Sequence, residues 1–174
     1  MAIDPASYYG TLAESIAYFT DRLHETDFLS KSSDMQERAL LAATRNIDAL
    51  SFSGYKTPVY DLLLANPDAT DEEIAAADAT QALQFPRDGD VEVPEAIKIA
   101  MWEVAHELLR GRDPQMETEN LVLTSDGAGS TRTSMDRSGP APAWLRNGIV
   151  SFVGWRYLMP YLDDNNTFDV RRTT

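Results

Sequence analysis

The sequence predicts a mainly α-helical fold, a small bundle of about four to five helices with a short β hairpin or strand and an extended C-terminal arm. Three observations predict it. Apolar residues recur at helical spacing in several stretches, helix-opening capping pairs precede them, and Gly and Pro fall at the expected ends. The clearest stretch is Gln84–Gly111, where Ile97, Met101, Val104 and Leu108 step by four, three and four along one face. Pro94 is expected at the first helical position, Gly111 just past the last, and Pro114 prevents resumption. This reads as the central helix, with a Phe85–Pro86–Arg87 loop folded over one end.

Taken in order, Thr11 with Glu14 forms a capping box, and Leu12, Ile16, Phe19 and Leu23 mark a helical face to about His24. Ser33 with Gln36 reads as a second box, followed by Leu40, Ala43, Ile47 and Leu50 to about Ser51. VYDLLLAN from Val59 has room for two helical turns, and NPDAT breaks them. Thr70 with Glu73 is a third box, opening an alanine-rich helix with few large side chains to bury. Residues 59–78 therefore read as a surface insertion on a core formed by 1–115.

Residues 116–174 are expected to belong to the same domain or to form an assembly arm. Leu121–Thr124 reads as a short strand, SDGAGST as a turn, and Thr131–Gly139 as a second strand. Pro140 and Pro142 lead to one last helix, AWLRNGIVSFVGWRYLM, ended by Pro160. Its face Leu145, Ile149, Phe152, Arg156 is only partly apolar, while Trp144, Val153, Trp155, Tyr157 and Leu158 spread apolar area around the cylinder, and a helix apolar on most sides must bury most sides. The tail NNTFDVRRTT is expected to be unordered when alone.

The chain has 174 residues, no cysteine and a net charge of −13. One domain with a real core is the expectation, and disulfide and thiolate chemistry are excluded. MAIDPASYYG is not read as a secretory signal, and no run approaches a membrane span. The charge is uneven: residues 1–124 carry −14, and 125–174 carry +1 with arginine as the only cation. An acidic body of this kind is poorly suited to holding nucleic acid.

Catalytic and metal motifs are missing. His24 and His106 each precede glutamate, but neither lies in H-E-x-x-H. Asp88–Gly89–Asp90 lacks the ligand pattern of a calcium loop, and SDGAGST lacks the ending of a phosphate loop. No enzyme activity, cofactor or metal is expected. The constellation that remains is aromatic and cationic: Trp144, Phe152, Trp155, Tyr157 and Tyr161 interleaved with Arg146 and Arg156, then Phe168, Arg171 and Arg172. Such residues serve either core packing or a partner interface. Single-strand binders use the same types, which keeps a replication accessory role as the alternative.

Three stretches, YYGTLAESIAYFTDRL, ERALLAATRNIDALSFSGYKT and QALQFPRDGDVEVPEAIKIAMWEVAHELLRG, resemble the head-to-tail connector (adaptor) proteins of tailed bacteriophages. The matching residues are Leu12, Ala13–Glu14 and Tyr18–Phe19, then Ala42–Arg45 with Ile47–Asp48, then Phe85–Pro86–Arg87 before Val93–Pro94. The closing Leu158–Leu162 and Arg171–Arg172 are similar as well. The resemblance implies a subunit made in the host cytoplasm and built into the virion, in a ring of about twelve copies under the portal. It further implies that the C-terminal segment meets the portal, that a tail, nozzle or stopper protein docks opposite, and that DNA only passes through. Some relatives bear a DnaT-like single-stranded-DNA-binding label.

Overall fold

A computed structural model describes residues 3–23, 25–117, 125–128, 131–134 and 142–163. The described chain is mainly α-helical. Its named helices are α1 (Leu12–Thr20), α2 (Ser33–Asp48), α3 (Thr57–Ala65), α4 (Asp71–Ala79), α5 (Glu95–Leu109), α6 (Ala143–Arg146) and α7 (Phe152–Leu158). Residues 114–117 are helical as well, so Pro114 opens a helical turn rather than preventing one. Short 3-10 turns at Pro5–Ser7 and Met159–Tyr161 flank them.

Helix α5 is the axis of the core, packed between α2 on one side and α7 on the other. Ile97, Met101 and Val104 are fully buried as their spacing predicts, and Leu108 is partly buried. Ala100, Trp102, Ala105 and His106 are buried too, so α5 is covered on more than one face. Pro94 stands one position earlier than expected, as N-cap, and Gly111 follows the helix at φ +83°, a backbone that side-chain-bearing residues rarely adopt.

The capping boxes at Thr11/Glu14 and Thr70/Glu73 form as expected. The one at Ser33/Gln36 does not. Helix α2 is capped at Ser32 without a side-chain bond, because Gln36 turns inward and its Nε2 donates to the Phe28 carbonyl at 2.8 Å. A buried amide must find a partner, and the Phe28 carbonyl supplies it. Helix α1 also ends at Thr20 rather than near residue 24, leaving Leu23 83% exposed; His24 lies outside the described residues.

Three contacts from the α1–α2 connection run onto α5. Arg22 donates to the buried Glu103 at 2.7 Å, His106 Nε2 lies 2.8 Å from Glu25, and Arg110 Nε lies 3.2 Å from Asp27. Residues 103 and 106 of α5 and its C-cap Arg110 share one face by helical spacing. Tyr18 adds a second donor to Glu103 at 2.6 Å.

A second fastening joins the α2–α3 loop to the Phe85–Pro86–Arg87 segment, whose Phe85–Pro86 peptide is cis. Phe85 is buried edge-on to Tyr9, Phe52 and Tyr161. The Arg87 guanidinium, nearly buried, donates to the carbonyls of Ser53, Phe52 and Gly54. Gly54 has φ +73°, and an added Cβ would overlap the Asp88 carboxylate, which accepts from the Tyr55 amide. Nearby, the Tyr9 hydroxyl donates to Asp48, and burial pushes both groups above their ordinary values.

Helices α3 and α4 pack chiefly on each other, tied down by Lys56 Nζ on Asp78 at 2.9 Å. Helix α4 buries no residue.

The C-terminal portion departs from expectation in two ways. Ser125–Ala128 pairs antiparallel with Thr131–Ser134, so strand occupies residues expected to form the turn; Leu121–Thr124 and 135–139 lie outside the described residues. The single last helix is broken. Asn147 caps α6, Gly148 takes φ +76°, Ile149 and Val150 run buried and non-helical, and Ser151 recaps the chain by accepting from the Gly154 amide at 3.1 Å. A glycine free to take positive φ followed by a serine cap outweighs the continuous apolar text.

Candidate partner-binding surface

The break at Gly148 fixes the surface, because it resets the helical phase of everything after it. Counted from Ser151, α7 turns Gly154, Trp155 and Leu158 inward. Gly154 allows close approach to α5: an added Cβ would lie 3.0 Å from the Ala100 carbonyl oxygen and 3.1 Å from Val104. Trp155 and Leu158 then fill the core. The other side of the same helix faces outward, with Phe152 57%, Val153 41% and Tyr157 39% exposed, and Met159 at its C-cap is 47% exposed. Arg156 is exposed among them. Val153, Arg156 and Tyr157 line a shallow groove.

The aromatic residues singled out in the sequence therefore divide. Trp155 is core. Trp144 and Tyr161 are half-buried against it, Tyr161 edge-on to Phe85 at 5.6 Å. Phe152 and Tyr157, with Arg146 and Arg156, are at the surface. Phe168, Arg171 and Arg172 lie outside the described residues. Sequence reasoning missed Val153 and Met159, which share the outward side. The signal that could have found them is Asn147–Gly148, a turn dipeptide, with Ser151 as the start of a new helix.

Leu145, Ile149, Val150, Leu158 and Leu162 are buried along with Trp155. The segment 143–162 is thus part of the core on one side and exposed on the other. At its far end a bridge pairs Leu162 with Phe52, and the Ser53 amide donates to the Tyr161 carbonyl at 2.9 Å. The outward side of α7 is held at both ends.

The titratable groups engage each other inside the fold. Burial, and then the Glu103 carboxylate, push the Tyr18 phenol well above its ordinary value. His106 is 5% exposed, flanked by Glu25 at 2.8 Å and Glu107 at 3.5 Å. The His106 ring nitrogen 3.5 Å away, with Arg112 and Arg110 beside it, holds the Glu107 carboxyl below the ordinary range against the effect of burial. Among the described residues no group of three or more His, Asp or Glu is arranged to hold a metal ion. What the surface offers is contact: apolar area with one guanidinium in its midst, the residue types that concentrate binding energy when a partner excludes water.

Comparison with protein-family models, with curated proteins and with solved structures finds no match in any of the three. The class that the described fold defines is a mainly α-helical protein with exposed apolar residues and an exposed arginine on its last described α-helix.

Proposed function

We propose that the chain is a structural virion protein, a head-to-tail adaptor of a tailed bacteriophage that forms a ring under the portal and joins it to the tail. The observation that carries this reading is the outward side of α7, where three large apolar residues and Arg156 stand on a helix locked into the core from behind, with Met159 exposed at its C-cap. Exposed apolar area concentrated on one short rigid element marks a protein interface. The stretches that resemble the adaptor family supply α1, α2, the Arg87 fastening and α5, so the resemblance falls on the residues that build the bundle.

On this reading the fold is a helical bundle with a small hairpin, and residues 164–174, with Phe168, Arg171 and Arg172, reach the portal as an arm. A tail, nozzle or stopper protein docks on the other end of the ring. The acidic body suits a channel wall, since it repels the phosphates of passing DNA. The role is assembly, with no catalysis, cofactor or metal.

The test is electron microscopy of the purified protein mixed with portal rings from the same virion. Added ring density on the portal is the expected result, and portals left bare at saturating protein overturn the proposal. Removing residues 164–174 should weaken attachment while leaving the melting curve unchanged. A longer deletion is uninformative, because it would take Trp155 and Leu158 out of the core. A gel shift with single-stranded DNA at low salt separates the replication alternative: no shift is expected, and a salt-sensitive shift would favour that alternative.

A further inference from the structure

We infer that the outward side of α7 docks against α3 of a second copy of this chain, so that neighbours meet through two different surfaces. This names the neighbour contact within the ring proposed above and rests on that reading.

Helix α3 carries the complement. It buries only Val59, while Tyr60 and Leu64, one turn apart, are 36% and 73% exposed, with Asp61 exposed beside them. Helix α7 presents Phe152, Val153, Arg156 and Tyr157 in the same manner, apolar residues around one charge of the opposite sign. Both helices are pre-set: α7 by its Ser151 cap and Gly154 contact, α3 by Pro58 in its first turn and Lys56 on Asp78. Little ordering is left to oppose association.

Charge selects the pairing. From Val59 to Glu92 the chain has nine carboxylates and one cation, Arg87. That guanidinium is nearly buried and bound to carbonyls, so the α3–α4 lobe presents acid to its surroundings. Arg156, by contrast, makes no ion pair with any described residue. Joining α7 to α7 would set Arg156 against Arg156, and joining α3 to α3 would set Asp61 against Asp61. Only the crossed arrangement brings unlike charges together, and like charges across a contact are strongly disfavoured. A crossed contact between two unlike surfaces leaves each copy with one free surface of each kind, so growth continues until the rotation closes a ring.

A charge exchange in the full chain tests this. Asp61→Arg and Arg156→Glu each leave the melting curve unchanged, both side chains being exposed. Each alone should weaken self-association by about tenfold or more, measured by sedimentation at low salt and by counting subunits on portal rings. The double variant D61R/R156E should recover to within about threefold of the parent, because every contact again joins unlike charges. Single variants that assemble like the parent, or a double variant that does not recover, overturn the inference. So does a parent chain that stays monomeric both alone and with portals. Because the chain has no cysteine, a mixture of Asp61→Cys and Arg156→Cys proteins gives a second readout. Disulfide-linked mixed pairs should dominate, whereas a dominance of either like pair overturns the crossed contact. Assembly that obeys the exchange without portal attachment would sink the adaptor reading and leave this contact standing. Attachment indifferent to the exchange would do the reverse.

Discussion

Helices α5 and α4 both satisfy the local rules for helix formation, yet they stand in opposite relation to the fold. Helix α5 has fifteen residues, eight of them buried, and contacts α2 and α7 along its length. Helix α4 has nine residues, a complete capping box and strong propensity, and buries none. Local signals determine whether a helix forms; large apolar residues spaced three and four apart determine whether it holds the protein together. Perturbing the α5 core should therefore be felt globally, and perturbing α4 only locally.

The largest effect is expected at Trp155, which fills the space between α7 and α5. Trp155→Ala should cost about 3–5 kcal/mol by chemical denaturation, a large part of the stability of a domain this size. Ile74→Ala on α4 removes a partly buried side chain outside the core and should cost less than the Trp155 change, about 1 kcal/mol. Equal losses at the two sites would erase the contrast between the helices.

The next effect tests the polar side of α5. Glu103 is buried and accepts from both Tyr18 and Arg22 through the same oxygen. Tyr18→Phe deletes one donor to a buried carboxylate and should cost about 1.5–3 kcal/mol, seen as a lower denaturant midpoint with an unchanged slope. A neutral result would mean that Arg22 alone satisfies the carboxylate.

A smaller, pH-dependent effect belongs to Glu107. Its folded-state pKa is lowered, first by the His106 ring beside it. The stability it supplies is therefore present above the ordinary glutamate value and is lost as pH falls through the lowered folded value. Glu107→Gln should cost on the order of 1 kcal/mol near neutrality and should flatten the acid limb of a stability–pH curve. The ion-pair partners Arg110 and Arg112 are about half exposed, which keeps the magnitude modest.

Much of the α5 side of this contrast was legible in the sequence, and the α7 side was not. Ile97, Met101 and Val104 lie at a spacing that only a helix uses, and Pro94 and Gly111 bracket it, so position and face followed together. In residues 143–159 apolar side chains occur at nearly every phase, so periodicity could not say which side faces inward. The answer depends on where the helix begins, and that is set by Gly148 taking positive φ and by Ser151. Trp155 and Phe152 are similar residues with opposite fates: Trp155 lies on the arc of α7 turned inward, and Phe152, at the first position of the helix, lies just outside that arc. Gln36 failed as a capping residue for a related reason: its partner, the Phe28 carbonyl, is a tertiary neighbour that no local pattern names.

The smallest global effect is expected from Thr70→Ala, and it sharpens the comparison most finely. The Thr70 hydroxyl accepts from the Glu73 amide, and Glu73 Oε2 accepts from the Thr70 amide at 2.8 Å, so the substitution removes half of a reciprocal cap. Losing such a cap costs a helix about 1 kcal/mol. In α5 that loss would be carried into the global transition, because unfolding α5 exposes the core. Helix α4 can fray while α2, α5 and α7 remain packed, since it contributes no buried residue to them. Amide exchange within Asp71–Ala79 should therefore quicken about fivefold, while the denaturant midpoint stays within error of the parent. A midpoint that falls by the full cap energy would show that the α3–α4 lobe unfolds together with the bundle, and the two helices would then belong to one cooperative unit.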